Sequence, residues 1–221
     1  MPRPIAIDLF SGAGGLSLGF EQAGFDIKVA VEIDPIHAST HKFNFPNCHV
    51  LAKSVHEVSA TTLLDSCGSA EVDVVVGGAP CQGFSLIGQR ALDDPRNSLV
   101  KEFIRIVKEV RPKVFVFENV KGLTLGKHRQ FLEEVICELG DAGYDVRLPW
   151  KVLNARDFSV PQSRERLFLI GSRVGAPPNY PEEHSELVTC FEALEDIPDA
   201  EGFDELFLDA LETPQRLRSG C

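Results

Sequence analysis

Short apolar runs alternate with helical patterns along most of the chain, and this alternation limits the fold more than any other feature. Runs typical of buried strands, rich in Val and Ile, lie at 5–10, 27–31, 72–76, 113–117 and 166–170. Helical patterns lie at 16–23, 98–110 and 129–139. Strands separated by helices predict a mostly parallel sheet with helices on both faces, so we expect an α/β fold.

Composition sets the broad class. The 221 residues are 43% hydrophobic and 25% charged, which is typical of a soluble globular chain. Because no long apolar run or secretory signal pattern is present, we expect no membrane span and a cytoplasmic location, nucleoid-associated if the chain is bacterial. The six cysteines form no C-x-x-C pair and share no regular spacing with the six histidines. We therefore expect neither a disulfide framework nor a metal site.

Charge is distributed unevenly. Twelve of the 33 acidic side chains lie between Glu182 and Glu212, a stretch without Lys or Arg, and the remainder of the chain is nearly balanced. Acidic runs are usually solvated, so the net charge of −11 does not exclude a polyanionic partner elsewhere on the surface. Prolines become frequent after Gly175. We expect 1–175 to form the main domain and 176–221 to form an acidic linker and the start of a further region.

A glycine-rich turn follows the first predicted strand, at the edge where doubly wound sheets bind ligands. Its glycines, in Asp8-Leu-Phe-Ser-Gly-Ala-Gly-Gly-Leu16, allow a ligand to approach the backbone at a helix N-terminus. Ser17 stands where G-x-G-x-x-G has its third glycine, which weakens a dinucleotide interpretation. Glu32 ends the second strand, where a carboxylate can accept from ribose hydroxyls, and Phe10 can stack on an adenine. Singly these residues are more often caps or core; together they favour a nucleoside-bearing cofactor without pyrophosphate.

The other strand ends carry reactive groups. One buried strand leads into Cys81 and the next into Glu118, while Arg164 and Arg166 precede the last strand. We expect these four side chains to converge at one edge of the sheet. The alternatives are that the cysteine is a small core hydrophobe and that the arginines form a surface ion pair with Glu165.

Three motifs then make a family resemblance specific. PCQGFS, FENVKGL and QSRERLFLIG, in this order after DLFSGAGG, resemble the catalytic motifs of the DNA (cytosine-5) methyltransferases. The resemblance covers the chain up to about residue 175. It implies a Rossmann-like fold and an enzyme that transfers a methyl group from S-adenosylmethionine to carbon 5 of cytosine in double-stranded DNA. A restriction-modification or epigenetic system is the implied setting.

The resemblance also assigns catalytic roles. Carbon 5 of cytosine is a poor nucleophile and needs a thiolate added at carbon 6, which would come from Cys81. Glu118 would act as the acid at ring N3, and its apolar strand is expected to raise its pKa. Arg164 and Arg166 would hold the base carbonyl, the Glu118 carboxylate or a flanking phosphate. The loop after the cysteine would close over a flipped base, and the predicted substrate contacts are Gln82, Ser85, Arg96 and Asn119.

The implied cofactor is S-adenosylmethionine, with no metal. By resemblance Phe10 packs on the adenine, Glu32 binds the ribose, Pro80 contacts the methionine part, and Ser54 stands where many relatives carry an acidic residue near the adenine amine. The full predicted cofactor set is Phe10, Ser11, Gly12, Gly14, Gly15, Leu16, Glu32, Ile33, Ser54, Val55, Pro80 and Leu99.

Two segments of the family pattern have no match in the sequence: the target-recognition region and the closing segment that completes the cofactor pocket. We therefore expect an incomplete chain that is inactive alone, with double-stranded DNA and a complementary chain as partners. Three alternatives stay open. They are an RNA (tRNA) cytosine-5 methyltransferase, a catalytically silent cofactor-binding or interaction protein, and a dinucleotide oxidoreductase, which the missing third glycine disfavours.

Overall fold

A computed structural model of the chain describes residues 2–80, 97–126, 128–184 and 186–196. Four of the predicted site residues, Cys81, Gln82, Ser85 and Arg96, lie outside these ranges. The roles of those four residues are therefore proposals.

The described residues form a single mixed sheet. Its spatial order is β3-β2-β1-β4-β5-β8-β6, and β7 pairs with β8. The strands are β1 Ile5–Leu9, β2 Asp26–Val31, β3 His49–Leu51, β4 Val74–Gly77, β5 Val114–Val120, β6 Asp145–Val146, β7 Lys151–Asn154 and β8 Glu165–Ser172. The helices are α1 Gly15–Gln22, α2 Pro35–Asn44, α3 Ala60–Cys67, α4 Ser98–Val110, α5 His128–Asp141 and α6 Cys190–Leu194.

Two apolar clusters cover the two faces of the sheet, as the alternating pattern predicts. One contains Phe103 of α4 with Phe115 and Phe117 of β5, all fully buried. The other joins Val74 and Val76 of β4 to Phe45, which follows α2. Because side chains alternate along a strand, β5 presents its phenylalanines to one face and Glu118 to the other. The expected α/β fold with helices on both faces is confirmed.

The five strands from β3 to β5 are parallel, whereas β8 runs antiparallel to β5. This direction matters for the site. In a parallel strand the residues that begin the strand lie at the opposite edge from the carboxyl ends of its neighbours. Because β8 is reversed, its first residues lie beside the end of β5, and Arg166 is opposite Val120.

Contacts divide the chain into two compact units. The first comprises residues up to Asn154 with Arg164–Glu182 and contains the whole sheet. The described part of the second comprises Ala155–Ser163 and residues from Glu183 to Asp196, including α6. A capping box formed by Thr189 and Glu192 starts α6. The functional boundary expected at residue 175 stays a prediction.

No helix in the described part of the chain is long and apolar enough to cross a membrane. Those same residues also contain no cluster of three or more His, Cys, Asp or Glu side chains arranged to hold a metal ion.

Candidate active site

Glu118 lies within β5, one residue beyond the paired end of β4, and its carboxylate meets Arg166 of β8. The distance from Arg166 Nε to Glu118 Oε1 is 3.0 Å, and the two side chains are 24% and 20% exposed. The sequence predicted that these side chains meet at the carboxyl edge, and the structure brings them together. The alternative ion pair with Glu165 is not formed, because Glu165 binds Lys121 at 2.7 Å and offers Arg166 only its backbone carbonyl.

The pKa of Glu118 is raised above its ordinary value. Desolvation by burial is the largest cause, and it outweighs the opposing effect of the positive charges of Arg166 and Arg164. This agrees with the direction expected from the apolar strand. A carboxyl group with a raised pKa keeps a larger protonated fraction near neutral pH, which suits a group that gives a proton to a ring nitrogen.

Gly78, the residue that follows β4, allows Glu118 to occupy its position. A Cβ atom on Gly78 would lie 2.8 Å from Glu118 Oε2, closer than real side-chain contacts permit. Gly78 thus gives the carboxylate room, while Oε1 is held by Arg166. In the sequence, the signal for this role of Gly78 is the pair Gly77-Gly78 after an apolar run, and Gly78 is not among the predicted site residues.

Asn119 holds the segment that follows β4. Its side chain is 3% exposed; Nδ2 donates to Ala79 O at 3.0 Å, and Oδ1 accepts from Val120 N at 2.9 Å. The sequence assigned Asn119 to the substrate, and that role stays a prediction; its amide is engaged inside the protein. It therefore positions the Ala79-Pro80 segment that leads into Cys81.

Arg164 is the residue immediately before β8, and its backbone N–H makes a hydrogen bond. Its N–H donates to Asn154 Oδ1 at 2.9 Å, across the β7–β8 pair. The positive charge of Arg164 also acts on Glu118. Both predicted arginines thus lie within electrostatic reach of the same carboxylate.

A cavity of about 290 Å³ lies at the carboxyl ends of the parallel strands. It is lined by Phe10, Val31, Glu32, Ile33, Lys53, Ser54, Val55, Gly78, Pro80 and Leu99. Seven of the twelve residues predicted to bind a cofactor are in this lining. The other five, Ser11, Gly12, Gly14, Gly15 and Leu16, belong to the adjacent glycine-rich turn and helix start.

Glu32 is fixed in the cavity wall by two backbone donors. Gly12 N donates to Oε2 and Asp34 N donates to Oε1, each at 2.8 Å. The carboxylate is 9% exposed, so its orientation is set before any ligand binds. Carboxylate oxygens keep further lone pairs and can accept hydroxyl donors in addition to these two bonds.

The turn between β1 and α1 has an unusual backbone. Phe10 and Gly12 have φ of 60° and 54°, and Gly14 has φ of 103°. A left-handed conformation at a bulky residue such as Phe10 is costly and is found mostly at functional sites. At Gly14 a Cβ atom would collide with the ring of Phe45, so this position requires glycine.

These features define a class: a Rossmann-like domain with a nucleoside-sized cavity and an acid–arginine pair at one sheet edge. A family model described as C-5 cytosine-specific DNA methylase matches residues 5–211. The chain belongs to this family.

Curated relatives and solved structures agree. Type II methyltransferase M.XorII of Xanthomonas oryzae pv. oryzae is 60% identical over 210 residues, which are 94% of this chain and 49% of that protein. M.AquIA of Picosynechococcus sp. is 44% identical over 185 residues, 80% of this chain and 75% of that protein. A crystal structure described as a prophage-encoded DNA modification methyltransferase (E. coli) is 35% identical with a TM-score of 0.74, covering 89% of this chain and 56% of its own. The chain thus spans about half the length of M.XorII.

Proposed function

We propose that this chain is the catalytic part of a DNA cytosine-5 methyltransferase of a restriction-modification system. The observation that carries the proposal is the position of Gly78. It lines the cavity and also leaves room for the Glu118 carboxylate, so the cofactor site and the acid lie on either side of one residue. Cys81 follows three residues later in the sequence.

The polar and aromatic side chains that line the cavity fit S-adenosylmethionine. Glu32 presents an oriented carboxylate for ribose hydroxyls, and Phe10 supplies an aromatic face beside Ile33 and Leu99. Ser11 Oγ is buried and has no hydrogen-bond partner among the described residues, so it has capacity for a ligand. When bound, S-adenosylmethionine supplies an electrophilic methyl group at a sulfonium centre.

The chain's own residues would activate the cytosine. The Cys81 thiolate forms a bond to carbon 6, and the electrons of the 5,6 double bond move toward carbon 5 as Glu118 gives its proton to ring N3. Arg166 holds Glu118 Oε1, which leaves Oε2 to carry the proton. After carbon 5 has accepted the methyl group, its proton passes to solvent water, the thiolate departs from carbon 6, and the N3 proton returns to Glu118, which restores the ring.

The substrate is proposed to be a base that has left the DNA stack. An acid and a thiolate that act on two positions of one ring need the ring inside the site, which base pairing in a duplex prevents. We propose Gln82, Ser85 and Arg96 as contacts to the DNA, and Arg164 as a contact to a phosphate beside the base. These assignments rest on the family motifs.

The test is methyl transfer from labelled S-adenosylmethionine to duplex DNA, with 5-methylcytosine identified by mass spectrometry after digestion. It is run with the chain alone and with the C-terminal half of M.XorII added as a separate polypeptide, because this chain spans about half of that relative. We expect 5-methylcytosine in DNA when the second polypeptide is present and little without it, which is the result a complementary chain would give. Labelling of tRNA in place of DNA, or of neither, would refute the proposal.

A further inference from the structure

Three polar side chains are fully buried beneath the glycine-rich turn. Asp8 of β1, Ser17 of α1 and His41 of α2 are each 0% exposed. The Ser17 hydroxyl donates to Asp8 Oδ2 at 2.6 Å, and Ser17 Oγ also lies 3.0 Å from His41 Nε2. One hydroxyl therefore joins a strand and two helices.

Ser17 carries all the side-chain hydrogen bonds that the structure records for the other two groups. Asp8 Oδ1 and His41 Nδ1 are buried and have no partner within the described parts of the chain. Loss of the hydroxyl would remove the side-chain hydrogen bond of each group and leave Asp8 only the backbone bond that Ser17 also gives it. Unsatisfied buried polar groups are costly, and ionised ones more so.

The hydroxyl can serve the network in two directions, because it is both a donor and an acceptor. With Asp8 ionised, His41 Nε2–H donates to Ser17 and Ser17 donates to the carboxylate. With Asp8 protonated, its O–H donates to Ser17 and Ser17 donates to the bare Nε2 of His41, which then carries its proton on Nδ1. Both hydrogen bonds survive the gain or loss of one proton.

This network touches the turn itself. A Cβ atom on Gly14 would lie 3.1 Å from His41 Cδ2, and His41 also packs on Phe45 with ring centroids 4.7 Å apart. Gly14 O accepts from Leu18 N, next to Ser17, at 2.9 Å. Asp8 is two residues from Phe10, whose strained φ starts the turn. The three buried groups therefore fix the backbone from which Gly12 reaches Glu32.

Asp8 changes its charge near neutral pH. Burial raises its pKa to about 7, the hydrogen bond from Ser17 lowers it, and the charge of Glu32 on the neighbouring strand raises it. From α2, His41 faces the carboxyl group, and its own pKa is lowered by burial. The thiol of Cys48 also interacts with Asp8 and has its pKa raised to about 12, mainly by burial. β4, on the other side of β1, carries no ionisable side chain.

We propose that Ser17 is a positioning residue: its hydroxyl is a reversible bridge that keeps Asp8 and His41 bonded in either protonation state and so holds the glycine-rich turn in the shape that binds the cofactor. The inference rests on the proposed function for its ligand. It also explains why serine stands where a dinucleotide fingerprint has glycine.

The experiment compares the chain with Ser17→Ala, Asp8→Asn and the double variant, with S-adenosylhomocysteine as the calorimetric probe between pH 6 and 8.5. We expect the unaltered chain to bind with an affinity that is constant over this range. Ser17→Ala should lose affinity as pH rises, by up to about tenfold per pH unit once its unbridged Asp8 ionises. Adding Asp8→Asn should remove that pH dependence, since the amide that replaces the carboxyl group does not ionise. Ser39→Ala is the matched control, because Ser39 is exposed on α2 and bonds only its own helix.

A second measurement separates this inference from the proposed function. Urea unfolding between pH 4 and pH 8.5 reports the network without any ligand. In the unaltered chain stability should fall from about pH 4 to pH 7, because the folded state holds the Asp8 proton to higher pH than the unfolded state does. This fall should continue above pH 7 in Ser17→Ala and vanish in Asp8→Asn. Failure of the unaltered chain to bind the probe would overturn the cofactor proposal alone. A loss in Ser17→Ala that is equal at every pH, or that Asp8→Asn does not relieve, would overturn the bridge.

Discussion

Glu118 and Arg166 are joined by an ion pair of 3.0 Å between two strands that run in opposite directions. Burial raises the pKa of Glu118, and the guanidinium opposes that rise without cancelling it. The pair thus sets how much of the carboxyl group is protonated at a given pH, and the proposed protonation of ring N3 would depend on that fraction.

Replacement of the arginine should therefore move the pH dependence of the reaction. In Arg166→Leu the larger of the two opposing positive charges is lost, so the pKa of Glu118 should rise further. Because the protonated form is the reactive one, the decline of the single-turnover rate with increasing pH should move to higher pH by the same amount. Lys121→Leu is the control, since Lys121 pairs with Glu165. A midpoint that moves equally in both variants would contradict the assignment.

Gly78→Ala should slow methyl transfer by displacing the acid. The added Cβ would lie 2.8 Å from Glu118 Oε2, so the carboxylate must shift from its position beside Arg166. We expect a loss of about tenfold or more in the single-turnover rate, in keeping with the effect of misplacing a catalytic group. Gly140→Ala, where a Cβ meets open space in α5, should leave the rate unchanged and stabilise the helix by about 0.5–1 kcal/mol. Equal rates in the two variants would refute the role of Gly78.

Asn119→Asp tests the hydrogen bond from Asn119 Nδ2 to Ala79 O, just after β4. Aspartate can still accept from Val120 N but cannot donate to Ala79 O, which Asn119 Nδ2 now satisfies at 3.0 Å. We expect a loss of about 1–3 kcal/mol in the free energy of unfolding, measured with urea, and slower reaction of Cys81 with a thiol reagent or substrate. Stability and reactivity that both stay unchanged would show that this bond does not position the segment.

Glu32→Gln should affect ligand affinity more than the chemical step. The amide keeps one acceptor oxygen for the Gly12 and Asp34 donors but loses the negative charge and one acceptor. We expect a higher KM for S-adenosylmethionine with a smaller change in kcat. The pKa of Asp8 should also fall, because the charge of Glu32 raises it. An unchanged KM, measured by initial rates, would argue against Glu32 as a ribose ligand.

The sequence predicted the elements that are long or strongly apolar. β1, β2, β4, α4 and α5 were anticipated within a few residues, and Ser98–Val110 was predicted at both ends. Helix α2 was missed because its hydrophobic pattern is weak, although Asp34 and Pro35 are ordinary start signals and the Asp34 side chain does cap the helix. The three-residue β3 is too short to leave a pattern.

The direction of β8 decided the geometry of the site, and periodicity does not reveal it. Arg166 was expected at the same edge as Glu118 although it precedes its strand, and only an antiparallel β8 places it there. Other parts of the site depend on long-range contacts that no local pattern encodes. The bond from Asn119 to Ala79 and the burial of Ser17 between Asp8 and His41 are of this kind.

Attack of Cys81 on a cytosine ring, as proposed, can be tested by trapping the covalent adduct. Duplex DNA containing 5-fluorocytosine should form a covalent complex with the chain, supplied with S-adenosylmethionine and the C-terminal half of M.XorII, because fluorine blocks loss of the final proton. Cys81→Ser should abolish the complex on a denaturing gel, while Cys137→Ser, at an exposed cysteine of α5, should leave it intact. A covalent complex that persists in Cys81→Ser would show that Cys81 is not the nucleophile.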